Sequence, residues 1–405
     1  MTTVLAFPWP AGAGHVGRCI ALARVMREMG ADVVFARDVI SAASREKFRT
    51  LTLPASWDIH SPPPHEGFLF SSGIGEVFFQ SGLISAPRVR ELVDTYRDAI
   101  RATSPTLVIS HMDPCAVSAA RMENVPVLQV ADADFFRSNE VQWDDNLRAR
   151  ELSDVVKAAF KNATGFSCEF VSDLLVGDIN WIASIPEVEL VDPNYGPPPN
   201  LSYVGPLIWD PEPDWRVDLS ALAGRPRIYA SVGRGDLTRG DFSDEALLCG
   251  EDAVALRSRG IGESRRSLKT PRVHAVGLGG LTRALEWADV SVSHGGHSSI
   301  IASLRVGVPV VVVPSMSENQ HNGLDMVERN GLGVCAVRAV SCGDSWVWMH
   351  GSDEVAPAEF DQAIRDALST VVADDAIRIR VRCVAEKLKA AERRLPQLVS
   401  ELVKL

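Results

Sequence analysis

Two doubly wound α/β domains, each a parallel sheet with helices on both faces, are what this sequence predicts, and three observations carry the prediction. Apolar runs of strand length alternate with segments of helical spacing through both halves of the chain. A proline-rich stretch over residues 197–226, with Pro197, Pro199, Pro206, Pro211, Pro213 and Pro226, interrupts that rhythm once and predicts the inter-domain linker. The length of 405 residues exceeds one ordinary domain and suits two.

Residues 4–7 predict a short buried strand, followed by a Gly-rich loop. Cys19, Leu22, Val25, Met26 and Met29 then recur at helical spacing, and Gly30 stops that helix. Residues 33–36 predict the next strand, 88–101 a helix, 106–110 a strand, 115–123 a helix and 126–130 a strand. Beyond the prolines, residues 227–232 restart the pattern, and 290–293 and 310–313 are two more strands flanking the run HGGHSS. From about residue 361 the chain is helical and charged. Residues 252–270 stand where another buried strand belongs, but are polar and basic; they predict a gap in the second sheet or a mobile loop. Arg257, Arg259, Arg265, Arg266 and Lys269 there form a phosphate-attracting loop or a solvated face.

Composition excludes several classes. Apolar residues are 46% and charged residues 23%, a soluble globular profile. Lys plus Arg number 41 against 52 for Asp plus Glu, a net charge of −11 with no basic block, which argues against nucleic-acid binding. The longest apolar run, around residues 306–314, is far too short for a membrane span, and no basic segment precedes an apolar stretch at the N-terminus, so no signal peptide is expected. Seven scattered cysteines without a CxxC pair argue against disulfide scaffolds and zinc ribbons and fit a reducing cytoplasm.

Two motifs carry chemistry. Gly12-Ala13-Gly14-His15-Val16-Gly17 matches GxGxxG, with Asp38 downstream where a ribose-binding acid belongs. Pro8, Trp9, Pro10 and Ala11 lengthen the loop beyond a dinucleotide turn. A plain strand-to-helix turn is the second reading; an imidazole at a ligand-binding strand end is the third, favoured by His15. The run Ser291-Val292-Ser293-His294-Gly295-Gly296-His297-Ser298-Ser299 is more specific. It predicts a strand, a turn whose glycines allow close backbone approach, and a helix start whose N–H groups favour a phosphate. Ser298 or Ser299 caps that helix or bonds a phosphate oxygen. His294 and His297 lack a third ligand at metal-site spacing.

The run from HGGHSS through GVPVVVVPSMSENQ to GLGV resembles the C-terminal signature of family-one glycosyltransferases, of the bacterial natural-product type. The stretch from Leu201 through Gly205 to Leu207 is similar to the family's domain junction, and Gly14-His15-Val16 with Ala21-Leu22-Ala23 to its opening helix. The resemblance implies the GT-B fold, two facing Rossmann-like domains with a donor cleft between them. Residues 1–205 would bind the acceptor, 206–375 the nucleotide sugar, and 376–405 would form a helix packing back on the first domain.

It further implies that His15 is the general base and that Gly14, His294, Gly295, Gly296, Ser298 and Ser299 hold the donor. Gly233, with Arg234, would lie near the reacting sugar, and Asn319 and Gln320 would bind its hydroxyls. The family's aspartate behind the base is replaced by His111; Asp113, two residues on, is the expected substitute, and His111 the other candidate. Asn319 stands in place of an acidic residue, Val276 about where the plant enzymes stack a tryptophan on the base, and Arg18 in place of a proline, to meet an anionic substrate or solvent. Trp57, Phe68, Phe70, Phe78 and Phe79, like Asp132, Asp134, Phe135 and Phe136, either line an acceptor pocket or pack beneath loops.

The implied function is inverting, metal-independent transfer from a nucleotide-diphosphate sugar, UDP- or dTDP-linked, to a small molecule of secondary metabolism such as an antibiotic. The nucleotide sugar is a co-substrate and no cofactor is expected; a homodimer is left open. A GT-B nucleotide-sugar epimerase and a catalytically idle sugar-nucleotide-binding or partner protein are the alternatives.

Overall fold

The computed structural model describes residues 2–10, 12–53, 74–136, 147–191, 196–231, 243–258, 270–314, 317–342, 345–356 and 359–403. They fall into two units, one holding the chain up to Trp209 together with the end of the chain from Ala390, the other spanning Asp210–Lys389.

In the first unit, β1 (Thr3–Pro8), β2 (Asp32–Phe35), β3 (Arg49–Thr50), β4 (Leu107–His111), β5 (Val127–Ala131), β6 (Ile179–Ile182) and β7 (Leu201–Tyr203) form one sheet in the order 3-2-1-4-5-6-7. Every pairing is parallel. The central strands are buried along their length, as expected of a sheet covered on both faces, which is why they appear in sequence as unbroken apolar runs. Helix α1 (Gly12–Glu28) buries Val16, Ile20, Ala23 and Met26, and α2 (Ala86–Thr103) buries Val89, Leu92, Val93, Tyr96 and Ile100, both at helical spacing. Helix α3 (Pro114–Met122) follows β4 and α4 (Leu147–Thr164) precedes β6. At the end of the chain, Thr2 Oγ1 donates to the Val403 carbonyl at 3.2 Å.

The strand order reverses between β1 and β4, whose register pairs Pro8 with His111. Carboxyl ends of strands at such a reversal are where open parallel sheets place ligands.

The second unit repeats the plan with β8 (Arg227–Ser231), β9 (Val254–Ser258), β10 (Val273–Val276), β11 (Val290–Ser293), β12 (Val310–Val312) and β13 (Gly333–Cys335) in the parallel order 10-9-8-11-12-13. Its reversal lies between β8 and β11, where Ser231 pairs with Ser293. Helix α5 (His297–Val306) leaves β11, and α6 (Phe360–Ala373) and α7 (Asp375–Leu402) end the chain. An antiparallel ribbon, β14 (Arg338–Cys342), β15 (Ser345–His350) and β16 (Asp353–Glu354), is an addition the sequence pattern did not predict.

Two expectations are corrected. The second sheet has no gap at residues 254–258: β9 lies between β8 and β10, its apolar half, Val254, Ala255 and Leu256, is buried, and Arg257 is neutralised by Asp244 at 2.6 Å. Residues 259–269 of that segment lie outside the described residues. The first glycine run is not a loop: α1 begins at Gly12, so Gly14 and His15 occupy its first turn.

Candidate active site

The first unit gathers polar side chains at its strand reversal. His15 Nδ1 lies 3.1 Å from Nε2 of His111, the last residue of β4, and the ring centroids are 5.0 Å apart. His111 is fully buried, and its Nδ1 lies 2.6 Å from the carbonyl oxygen of Val130 on the neighbouring β5. Arg18, three residues after His15, shares its helix face. Its Nη1 stands 2.5 Å from Asp132 Oδ1, just past β5, and 3.4 Å from His111 Nε2. Arg18 is only 3% exposed, so it is neither a solvated helix-start arginine nor a free anion receptor; its charge is matched inside the protein.

Asp113 is not the partner of His15. It caps α3: Oδ1 accepts from the amides of Cys115 at 3.0 Å and Ala116 at 3.2 Å, and Oδ2 accepts from the Tyr96 hydroxyl at 2.9 Å. Tyr96 also accepts from Arg37. Burial pushes the Asp113 carboxyl above its ordinary value, and the Arg37 charge and these hydrogen bonds oppose the rise. The sequence offered a carboxylate near β4, but its position at the helix start commits it to the cap.

In the second unit, β11 ends at Ser293 and the chain turns into α5 through His294, Gly295 and Gly296. The His294 amide donates to the Ser231 carbonyl at 3.2 Å across the strand reversal. Gly295 has φ +92°, a left-handed conformation that other residues adopt only with strain, and its amide donates to Ser293 Oγ at 3.1 Å. Gly296 matters for a different reason: a Cβ there would stand 2.5 Å from Nε2 of His294, so the ring could not keep this position over a larger residue. The imidazole thus packs over the backbone that opens α5.

Burial pushes the His294 imidazole below its ordinary value and keeps it neutral at pH 7, and its buried Nδ1 has no hydrogen-bond partner among the described residues. Helix geometry leaves the first amide groups of the ten-residue α5 without intrahelical acceptors, with the positive end of its dipole. His297 is buried at that start, and Ser298 and Ser299 are half-buried. The arrangement suits an anion.

The remaining expected residues divide. Gly233 and Arg234, and Trp57, Phe68 and Phe70, lie outside the described residues, as does the Asn319 side chain. Gln320 does not reach toward α5: its amide clamps Ala339, donating to the carbonyl at 3.0 Å and accepting from the amide at 2.6 Å. Phe78 is core, its ring 6.0 Å from that of Trp9, and Phe135 and Phe136 are buried as well. One supporting residue was missed: buried Asn322 donates from Nδ2 to the Gly295 carbonyl at 3.1 Å and fixes the glycine turn. Asn322 stands in the same polar run as Glu318 and Asn319, two residues after Gln320.

Residues 278–340, which include this turn and α5, match the glycosyltransferase family 28 C-terminal domain. The crystal structure of the glycosyltransferase SnogD from Streptomyces nogalater superposes with a TM-score of 0.70 at 18% identity, covering 100% of this chain and 99% of that one. The chain is a glycosyltransferase of the GT-B fold. It is 25% identical over 386 residues to the PGL/p-HBAD biosynthesis glycosyltransferase of Mycobacterium tuberculosis, covering 87% of this chain and 84% of that protein. It is also 25% identical over 355 residues to the PGL/p-HBAD biosynthesis rhamnosyltransferase of Mycobacterium bovis, covering 79% and 73%. Among the described residues of this glycosyltransferase no helix is long and apolar enough to cross a membrane.

Proposed function

We propose that this glycosyltransferase moves a sugar from a nucleoside-diphosphate donor to a hydroxyl of a glycolipid or natural-product intermediate, with inversion at the anomeric carbon. The observation that carries the donor side is the His294-Gly295-Gly296 turn onto α5, where a half-buried, neutral imidazole whose buried Nδ1 has no hydrogen-bond partner among the described residues meets a helix N-terminus. These groups are suited to the charge that grows on the leaving diphosphate. On the acceptor side, His15 is the base. The acceptor oxygen attacks the anomeric carbon, the bond from that carbon to the diphosphate oxygen breaks, the leaving nucleoside diphosphate keeps the electron pair, and the hydroxyl proton passes to His15. No metal or other cofactor is assigned to the step. The acceptor class is drawn from relatives named for PGL/p-HBAD biosynthesis and from the resemblance of the sequence to natural-product glycosyltransferases.

Calorimetric titration of uridine and thymidine diphosphates tests the donor side. His294→Ala should weaken binding of the preferred nucleotide by about 1.5–3 kcal/mol, the worth of a hydrogen bond to a charged group. Unchanged affinity in the folded variant removes the diphosphate from this turn.

A further inference from the structure

We infer that His111 is a positioning residue that fixes the proton of neutral His15 on Nδ1 and leaves Nε2 as its basic atom. The inference rests on His15 being the base and names what orients it. The partners of the two rings decide their tautomers. The Val130 carbonyl oxygen only accepts, so its 2.6 Å contact places a proton on His111 Nδ1. A guanidinium only donates, so Arg18 Nη1, 3.4 Å from His111 Nε2, faces a lone pair. Together they make His111 the neutral Nδ1–H tautomer. His15 Nδ1 stands 3.1 Å from that same lone pair and must therefore bring the hydrogen.

Each member of this chain is anchored by the fold. Val130 and His111 sit on paired strands, β4 and β5, in register with each other. Arg18 and His15 sit one turn apart on α1, and Asp132 holds Arg18 in place at 2.5 Å. A proton on His111 Nε2 would turn an N–H toward the guanidinium, so Arg18 opposes that state. His111 thus accepts from His15 before and after proton transfer, without bringing a carboxylate's negative charge to the site.

The test reads the tautomer directly, by long-range proton–nitrogen correlation on the free protein labelled with ¹⁵N-histidine, at a pH where His15 is neutral and with His15→Ala assigning the signal. The wild type should show His15 as the Nδ1–H form. His111→Gln should preserve it, because the Gln carbonyl can accept from His15 while its amide donates to Val130. His111→Leu should lose it and lower kcat for release of nucleoside diphosphate from a nucleotide sugar, with water as acceptor, by about 10–100-fold. KM should be unchanged, and His111→Gln should restore the rate. His15 in the Nε2–H form in the wild type overturns the inference, whether or not His111→Leu folds; so does an unaltered Nδ1–H signal in a folded His111→Leu protein. Normal turnover in His15→Ala would instead refute His15 as the base, a result the tautomer measurement does not depend on.

Discussion

His111 stands 3.1 Å from His15 in the place where the resemblance puts an aspartate, and the nearby carboxylate of Asp113 is turned the other way, into the start of α3. The dyad is imidazole on imidazole, with a backbone carbonyl behind it.

Asp113 should therefore be a stability residue. Asp113→Ala removes a helix cap, about 0.5–2 kcal/mol, and leaves the buried Tyr96 hydroxyl without one of its partners. Urea unfolding should show the loss, while donor turnover, corrected for folded protein, stays within a few-fold of wild type. A fall of orders of magnitude in turnover with stability intact would return Asp113 to the catalytic group.

The close packing of His294 over Gly296 predicts coupling between them. A Cβ at Gly296 would press on the imidazole at 2.5 Å, so Gly296→Ala should displace the ring and weaken nucleoside-diphosphate binding much as His294→Ala does. In a His294→Ala background the same substitution should cost little more. Additive losses in that double-mutant cycle would show that the two act separately.

Stability should also depend on pH through His294. Its imidazole is held below the ordinary value of 6.5 by burial, so below that pH the unfolded chain takes up a proton that the folded ring resists. The ring's contribution is complete above pH 6.5 and is lost as pH falls through its depressed value. His294→Gln should flatten that decline in denaturant titrations across this range; parallel curves for the two proteins would place the pH dependence elsewhere.

Much of this was legible in the chain because burial on both faces of a parallel sheet writes strands as apolar runs. Residues 290–293 and 126–130 are of that kind, and the two glycines after His294 marked a turn at which backbone or ring comes close. Three features were hidden for physical reasons. Glycines at Gly12, Gly14 and Gly17 weaken the helical signal, yet α1 forms from Gly12 because its later turns pack on the sheet. Strand β9 was masked because Arg257 finds Asp244, 13 residues earlier in the chain, a pairing the linear pattern does not show. The choice between His111 and Asp113 depended on which side chain points past the strand end and which folds back on the next helix, a matter of register that spacing does not encode.

The central claim is tested most directly by incubating the protein with UDP- and dTDP-sugars in water, without other acceptor, and following both nucleotide and sugar. Slow release of nucleoside diphosphate is predicted, with no isomeric sugar nucleotide, and His15→Ala should reduce that release by about two to four orders of magnitude while leaving nucleotide affinity unchanged. Accumulation of an isomeric sugar nucleotide, or release by a folded His15→Ala protein at the wild-type rate, would contradict the account.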